Sequence, residues 1–365
     1  MSQDEEMMLR ALALSMKGRI TAPPNPWVGC VIVKNKQIIG EGYHYSAGQP
    51  HAEINALNQA KEQAEGSTVY VTLEPCAHFG RTPPCSQALI KAKVARVVIG
   101  LLDPDPRVKG KGMLELHNAG IETIDGVAAQ QIAAALAPYL HQRKTGRPYC
   151  IAKSAISIDG RVAAVDGSSK WISSEEARCD THRLRAESQA ILIGVGTANK
   201  DLPTLTVRNV EIMPINPPLR VILDSKGSLR PEGALFDTTL APTLIITTKA
   251  CNEQVIKAWQ QKNVEVAILP EDKELGGVDL FHVLDLLGTR GILQVLVEGG
   301  STLLGNFFKR GLIQHLSVYI GPRLLGNNGV PLYRNESIQT LEEAPLLKFK
   351  GTQTFGDTVR LDYEM

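Results

Sequence analysis

Little in this sequence invites a polyanion or a bilayer. Aromatic residues make up 5% of the 365 positions, and 39 Lys+Arg against 38 Asp+Glu leave a formal net charge of +1. Such a chain lacks the basic, aromatic-studded face of a general nucleic-acid binder, although a local patch is compatible with these totals. No apolar run approaches the roughly 20 residues that span a bilayer, so no membrane partner is expected. The amino end, Met1-Ser2-Gln3-Asp4-Glu5-Glu6, is acidic where a secretory signal would be basic. The six cysteines, Cys30, Cys76, Cys85, Cys150, Cys179 and Cys251, are scattered. Without an export signal, reduced thiols and a cytoplasmic location are expected rather than a disulfide framework.

What is present is enough apolar material, 43% of residues, for sizeable cores in a chain too long for a single one. Two domains are the expectation.

One constellation stands out: His51-Ala52-Glu53, Pro75-Cys76 and Cys85. One imidazole and two thiols are ligand types that zinc favours, and a catalytic zinc site keeps its fourth position for water. Glu53, two residues beyond the histidine, is placed to handle that water's proton without being a ligand. His and two Cys on zinc with a nearby Glu as general acid/base is the arrangement of zinc deaminases. The residues alone leave a second reading open, a closed structural Cys₂His₂ site that adds His78, which gives Glu53 no role. Nucleoside and nucleic-acid deaminases usually space the Cys pair by two residues. Here eight intervene, Ala77-His78-Phe79-Gly80-Arg81-Thr82-Pro83-Pro84.

The periodicities place these residues. Ser2 and Glu5 form a capping-box pattern before a helix ending near Gly18. Trp27–Val33 and Ile38–Tyr43 read as a hairpin turning at Asn35. His51–Gln63 reads as a helix with Ile54, Leu57 and Ala60 inward. A strand at Thr68–Leu73 delivers Pro75-Cys76, and Cys85 opens the next helix. Two ligands therefore sit at helix starts, whose positive dipole ends favour thiolate. Alternating strands and helices continue to Ile124 and predict a three-layer α/β/α sheet. A helix over Ala128–Tyr139 follows, and the basic, Gly/Pro-bearing stretch 141–149 reads as a solvated linker. It divides a domain over 1–145 from one over 146–365.

The inter-cysteine segment, with Pro24-Asn25-Pro26-Trp27-Val28-Gly29 and His51-Ala52-Glu53, closely resembles the bifunctional riboflavin-biosynthesis deaminase/reductase family. The resemblance implies a cytidine-deaminase-like first domain holding one zinc ion. It would deaminate 2,5-diamino-6-(5-phosphoribosylamino)pyrimidin-4(3H)-one, with Asn25 touching ring or ribose. Asn25 between two prolines is equally a turn former.

The second half begins with a strand from Tyr149 and a turn at Ser157–Gly160. Ser173 with Glu176 marks a helix cap, and a strand over Ala190–Thr197 ends in a glycine pair. Glu298-Gly299-Gly300-Ser301 joins a strand to a helix, the local recipe for phosphate on backbone N–H groups. Neither glycine turn completes G-x-G-x-x-G, and tight turns also explain them. Lys153-Ser154-Ala155, Asp159-Gly160-Arg161, Trp171-Ile172-Ser173, Leu205-Thr206-Val207-Arg208 and Val297-Glu298-Gly299-Gly300 are similar to the same family's reductase domain, itself like dihydrofolate reductase. That similarity implies NADPH-dependent reduction of the ribosylamino group to ribitylamino and a homo-oligomer joined through reductase domains. It puts the cofactor at Ala155, Trp171, Thr197, Asp201, Ser225 and the turn Gly300, Ser301, Thr302, Leu303, Leu304, Gly305 and Asn306. It puts the sugar phosphate at Ser169, Arg185, Leu205, Arg208 and Glu298, with Lys153 near the reacting sugar. Arg185 in Arg183-Leu184-Arg185 also reads as an ordinary helix ion-pair partner. Asn199-Lys200-Asp201-Leu202-Pro203-Thr204 departs from the family's Asp-Asp-Pro run, and within the stretch 321–345, which reads as irregular, the Gly326–Gly329 loop has no assignment. Rival readings are a nucleic-acid-editing deaminase with a targeting domain and a non-enzymatic zinc-stabilised nucleotide sensor.

Overall fold

Two units divide the chain, Met1–Gly146 and Arg147–Met365, and each builds its own main sheet. The structure, a computed structural model, describes residues 1–79, 83–334 and 338–365. Gly80-Arg81-Thr82 of the inter-cysteine motif lie outside the described residues.

The first unit runs α1 (Gln3–Ser15), β1 (Gly29–Lys34), β2 (Gln37–Tyr43), α2 (Ala52–Ala60), β3 (Thr68–Leu73), α3 (Cys85–Lys91), β4 (Arg96–Leu101), α4 (Lys111–Asn118), β5 (Glu122–Asp125), α5 (Ala129–Ala135) and α6 (Ala137–Thr145). Sheet order is β2-β1-β3-β4-β5, with β3, β4 and β5 parallel. The hairpin closes through Asn35 and Lys36, both at positive φ (50° and 63°), as a two-residue turn of that hand requires. Residue parity separates the faces. Cys30, Ile32, Val69, Val71, Val97 and Ile99 pack with Ala52, Ala56, Leu89 and Leu116 of α2, α3 and α4. On the other face the Tyr70 hydroxyl donates to Asp4 of α1 at 2.8 Å. There, a Cβ at Gly100 would meet Ile132 Cδ1 of α5 at 2.2 Å and Met8 Sδ of α1 at 3.3 Å. Three layers result.

Close backbone approach sets where α2 begins. A Cβ at Gly40 or Gly42 would stand 2.3 Å from the carbonyl oxygen of Ala56 or Ala52. Only small residues fit beneath, so the buried face is Ala52, Glu53, Ala56 and Ala60, with Ile54 and Leu57 half-buried at its margin. The expected inward face therefore holds at Ala60 and, from its margin, at Leu57, which packs against the core; Ile54 is the correction. A second correction concerns 141–149. The chain is helical to Thr145, Gly146 ends α6 at φ 76°, and Gln142 is buried. The stretch looks solvated by composition, but one face of α6 folds onto the unit.

The second unit runs β6 (Tyr149–Ser157), β7 (Arg161–Ala163), α7 (Glu175–Ala186), β8 (Ala190–Gly194), α8 (Val195–Asp201), β9 (Leu219–Leu223), β10 (Thr243–Thr247), α9 (Glu253–Gln260), β11 (Glu265–Ile268), α10 (Leu280–Thr289), β12 (Gln294–Val297), α11 (Ser301–Lys309), β13 (His315–Gly321), β14 (Val330–Pro331), β15 (Lys348–Phe355) and β16 (Thr358–Glu364). Its main sheet is ordered β11-β10-β9-β8-β12-β6-β13-β16-β15. Strands from β11 to β13 are parallel, and the terminal hairpin β15/β16 adds antiparallel. Ala190 and Leu192 face one core while Ile191 and Ile193 face the other.

Three local expectations change here. Ser174, not Ser173, caps α7, its hydroxyl accepting from Ala177 N at 3.2 Å. Residues 195–197 begin α8 instead of prolonging β8, because the backbone turns helical straight after Gly194. The region 321–345 is not wholly irregular: β14 pairs with β7. The Gly326–Gly329 loop is tied to the 157–161 turn, with Gly326 N donating to Asp159 at 2.6 Å and Arg161 Nε donating to Gly326 O at 3.2 Å.

Candidate active sites

Each proposed ligand sits at an element boundary. His51 is the N-cap of α2 and Glu53 lies in its first turn. Cys76 follows β3, and Cys85 opens α3. His51 Nδ1 stands 3.6 Å from Cys76 Sγ and 3.3 Å from Cys85 Sγ, and all three ligand atoms lie within 4.8 Å of one another. Zinc bonds of about 2.3 Å to sulfur and 2.0–2.1 Å to nitrogen put tetrahedral ligands roughly 3.5–3.8 Å apart. The donor set fits that ion. His78 is outside this group among the described residues, so the closed four-ligand site is not formed and one position stays open. The Cys85 thiol and backbone N–H both donate to Cys76, with the backbone contact at 3.4 Å, and hold its thiol well below the usual range. Cys85, giving its hydrogen bond to that thiolate and buried, is pushed up. A bound cation would deprotonate both.

Glu53 is only 3% exposed. Burial pushes its carboxyl up to about 7 against the opposing pull of His51. It lines a cavity of about 340 Å³ together with Asn25, His44, His51, Cys76 and Tyr139. His44 was not anticipated. Its Nδ1 donates to Pro50 O at 3.2 Å, so its Nε2 accepts from the Asn25 amide at 3.0 Å. Its ring meets His51 edge-on at 5.0 Å. Asn25 is thereby held with its carbonyl oxygen left as an acceptor. No sequence signal marks His44, since only the hairpin and the α2 start bring it there.

The cavity's far wall is the 103–113 loop, and Glu74 anchors it. Its carboxylate accepts from the backbone N–H of Asp103, Gly110, Gly112 and Met113 at 2.9–3.3 Å. A Cβ at Gly112 would fall 1.9 Å from Pro75 O, so the loop lies against the chain just before Cys76.

In the second unit the carboxyl ends of β8, β9 and β12 lie side by side, where ligands of open α/β sheets bind. α8 and α11 start there from Gly194 and Gly300 with no side-chain cap, leaving backbone N–H groups available. Thr197 Oγ1 of α8 would be 3.4 Å from a Cβ on Gly300. Two uncapped helix starts facing each other across small residues fit a dinucleotide's phosphates. Ser225 follows β9 and Ala155 lies on β6. Gly300, Ser301, Thr302 and Leu303 form the helix start. Leu304 is buried in the core, Gly305 packs on the backbone of Arg334, and Asn306 lies further along the helix. Trp171 is exposed, with the Arg178 guanidinium 4.4 Å over its ring.

Arg185 and Glu298 meet directly. Arg185 Nε and Nη2 donate to the two carboxylate oxygens at 2.6 and 2.8 Å, and Nη1 donates to Thr206 O at 3.1 Å. Burial opposes the Glu298 charge, yet Arg185 outweighs it and holds the carboxyl at about 2. The ion-pair reading of Arg185 thus describes its contacts, and Arg208 is left as the exposed cation of the set. Lys153 lies 5.4 Å from the Tyr319 ring; burial lowers its pKa, partly offset by Glu298. Leu205 is a core residue at φ 49° and is buried within the second unit. Ser169 is partly buried in the loop before α7, and Asp201 ends α8.

Comparison with known proteins bears on both units. The family model for the RibD C-terminal domain matches residues 148–361. The model for the cytidine and deoxycytidylate deaminase zinc-binding region matches 1–101. The riboflavin biosynthesis protein RibD of Chlamydia pneumoniae is 47% identical over 360 residues, covering 98% of this chain and 94% of that protein. Acinetobacter baumannii RibD, form 1, superposes with a TM-score of 0.89 at 38% identity, over 99% of this chain and 98% of that one. The Thermotoga maritima diaminohydroxyphosphoribosylaminopyrimidine deaminase/5-amino-6-(5-phosphoribosylamino)uracil reductase gives 0.84 at 32% identity, with the same coverages.

Proposed function

The chain belongs to the RibD family of riboflavin-biosynthesis deaminase/reductases, and from that premise we propose how its residues divide the two reactions. The first unit converts the diaminopyrimidinone ribosylamine phosphate to the aminouracil, and the second reduces its ribosylamino group to ribitylamino. The observation that carries the deaminase half is the three-ligand cluster with buried Glu53 beside it in one cavity.

His51, Cys76 and Cys85 would hold zinc, whose Lewis acidity would make water a competent nucleophile near neutral pH. Glu53 takes the proton from the attacking water at its carboxylate and passes it to the ring nitrogen. Glu53 then moves the proton of the added hydroxyl to the exocyclic nitrogen, which leaves as ammonia. Water is consumed, the carbon–nitrogen bond breaks, and a carbonyl remains. Asn25, held by His44, orients the ring or ribose.

In the second unit bound NADPH supplies hydride for C1′ of the sugar. The helix starts after Gly194 and Gly300 take its phosphates, and Ser225-Lys226 accept the 2′-phosphate. Equal efficiency with NADH would remove that pocket. Lys153, beside Glu298 and Arg185, faces the reacting sugar, and Arg208 meets its phosphate. The partner is a small molecule, and no described helix is long and apolar enough to cross a membrane. We assign the protein to the cytoplasm, as a homo-oligomer joined through reductase units; light scattering that gives a monomer mass overturns the latter.

The deciding experiment follows ammonia release from the pyrimidinone substrate and then NADPH oxidation in the same tube. Both steps are expected. Ammonia from cytidine-containing oligonucleotides instead would favour the editing reading, and neither product would favour a sensor.

A further inference from the structure

The substrate of the proposed deamination carries a phosphomonoester on its ribose, and no residue of the first unit has yet been given to it. Resting on that deaminase reading, we propose that Arg107 and Arg143 form the anion-binding rim of the cavity and hold the phosphate. They are the only lysine or arginine side chains among the cavity's described lining residues. One carboxylate gathers them. Asp105 accepts from Arg107 Nε at 2.9 Å and Nη2 at 2.6 Å, and its Oδ2 lies 3.5 Å from Arg143 Nε. Two guanidiniums therefore share a single compensating charge.

Nearby acids are already engaged. Glu74 is held by four backbone N–H groups. Asp103 accepts from the Tyr139 hydroxyl at 3.0 Å and from Asp105 N at 2.9 Å. Arg143 Nε, although within ion-pair reach of Asp105, is buried and has no hydrogen-bond acceptor. A buried donor without an acceptor in a cavity wall is costly unless a ligand supplies one. The rest of Arg143 is fixed in advance: its guanidinium lies 5.0 Å over the Tyr139 ring, and Nη1 donates to Gln142 Oε1 at 2.6 Å. Arg107 is the exposed member, its side chain 66% exposed against 23% for Arg143. A fixed fork and an exposed one, each able to give paired hydrogen bonds, suit a dianionic phosphate better than point charges do.

The test uses the full zinc-loaded chain as Arg107→Gln, Arg143→Gln and Arg143→Lys. Ammonia release is measured from the phosphorylated substrate and from its dephosphorylated counterpart. Each Gln variant is expected to raise KM for the phosphorylated compound about 10-fold or more, leaving kcat within about threefold. The dephosphorylated compound should be turned over as by wild type. Arg143→Lys should recover part of the loss, and inorganic phosphate should inhibit wild type more strongly than either Gln variant. Zinc content and reduction of the deaminated compound report folding; if Arg143→Gln loses both, the exposed Arg107→Gln and the Arg143→Lys variant decide. An unchanged KM, or an equal loss with the dephosphorylated compound, overturns the assignment. Wild-type protein that deaminates neither compound overturns the deaminase reading instead.

Discussion

Replacing Arg220 by methionine should destabilise the second unit and disable reduction while sparing deamination. Arg220 lies on β9 and is fully buried. Its guanidinium donates to five carbonyl oxygens: Ala241 at 2.6 Å, Ala234 at 2.7 Å, Asp237 at 2.9 Å, Thr204 at 3.3 Å and Leu235 at 3.4 Å. Burial lowers its pKa to about 10, with Asp237 opposing, so it stays charged at neutral pH. Methionine keeps the stem's packing but takes a donor from all five acceptors; Ala234, Leu235 and Asp237 keep another, from Asp237 N, Thr243 Oγ1 and Leu240 N. An orphaned buried acceptor costs about 1–3 kcal/mol, and the two long contacts contribute least. With some water entering, the loss comes to about 3–5 kcal/mol, comparable to breaking a buried charged network. At about 2–4 °C per kcal/mol for a unit of this size, calorimetry should show its transition lowered by roughly 6–20 °C. Thr204 leads into Leu205 and Thr206, and Thr206 O accepts from Arg185, so the loop beside Glu298 loosens with it. NADPH oxidation should fall further than ammonia release. A transition within about 2 °C of wild type would show that the five contacts together are dispensable and refute the reasoning.

Glu53→Gln should retain zinc by metal analysis yet lose ammonia release by at least about 100-fold, the lower end of general acid–base contributions; full activity would refute its role. Cys76→Ala should emerge from purification without zinc, and retained stoichiometric metal would refute the ligand set. Stability of the second unit should fall as pH drops below about 4, and Asp362 supplies one share of that loss, Glu298 another. Burial opposes the Asp362 charge, but hydrogen bonds from His315 and Ser317 and the Arg360 guanidinium outweigh it and hold the carboxyl at about 2. Its contribution, about 2 kcal/mol, is complete above its unfolded value near 3.8 and vanishes as pH falls through 2. Asp362→Asn should flatten the urea midpoint across that window, and an unchanged slope would sink the assignment.

The candidate metal cluster was legible because metal chemistry restricts residue type so severely that His51, Cys76 and Cys85, with Glu53 close by, suggest their role without a fold. Strands such as Gly29–Val33 were legible for a different reason: alternate residues serve two buried faces, and the apolar run shows it. The terminal hairpin was not, since β15 exposes most of both its faces and leaves no period of two to read. The α7 cap slipped by one residue because Ser173 and Ser174 adjoin and either satisfies a capping pattern. Arg220 gave a signal that went unused. A lone arginine inside Leu-Arg-Val-Ile-Leu, a run buried on both faces, must find acceptors inside the protein.

The basic stretch near residue 143 shows where such reading stops. Arg143, Lys144 and Arg147 between polar residues, with Gly and Pro following, satisfy every compositional mark of a solvated connector. What distinguishes Arg143 from Lys144 is helical phase. Arg143 lies four residues after Tyr139 on α6, so its guanidinium falls over that ring, and Tyr139 in turn reaches Asp103 on the cavity loop. Each link is an ordinary i, i+4 or tertiary contact, and none leaves a trace in local sequence. Ligands of a metal announce themselves by type, whereas residues that recognise a phosphate are common cations whose role depends on which wall they are turned toward. The chemistry of a site is therefore read earlier from sequence than its specificity, and Asp105, which draws two distant arginines to one cavity rim, becomes meaningful only once α6 is in place.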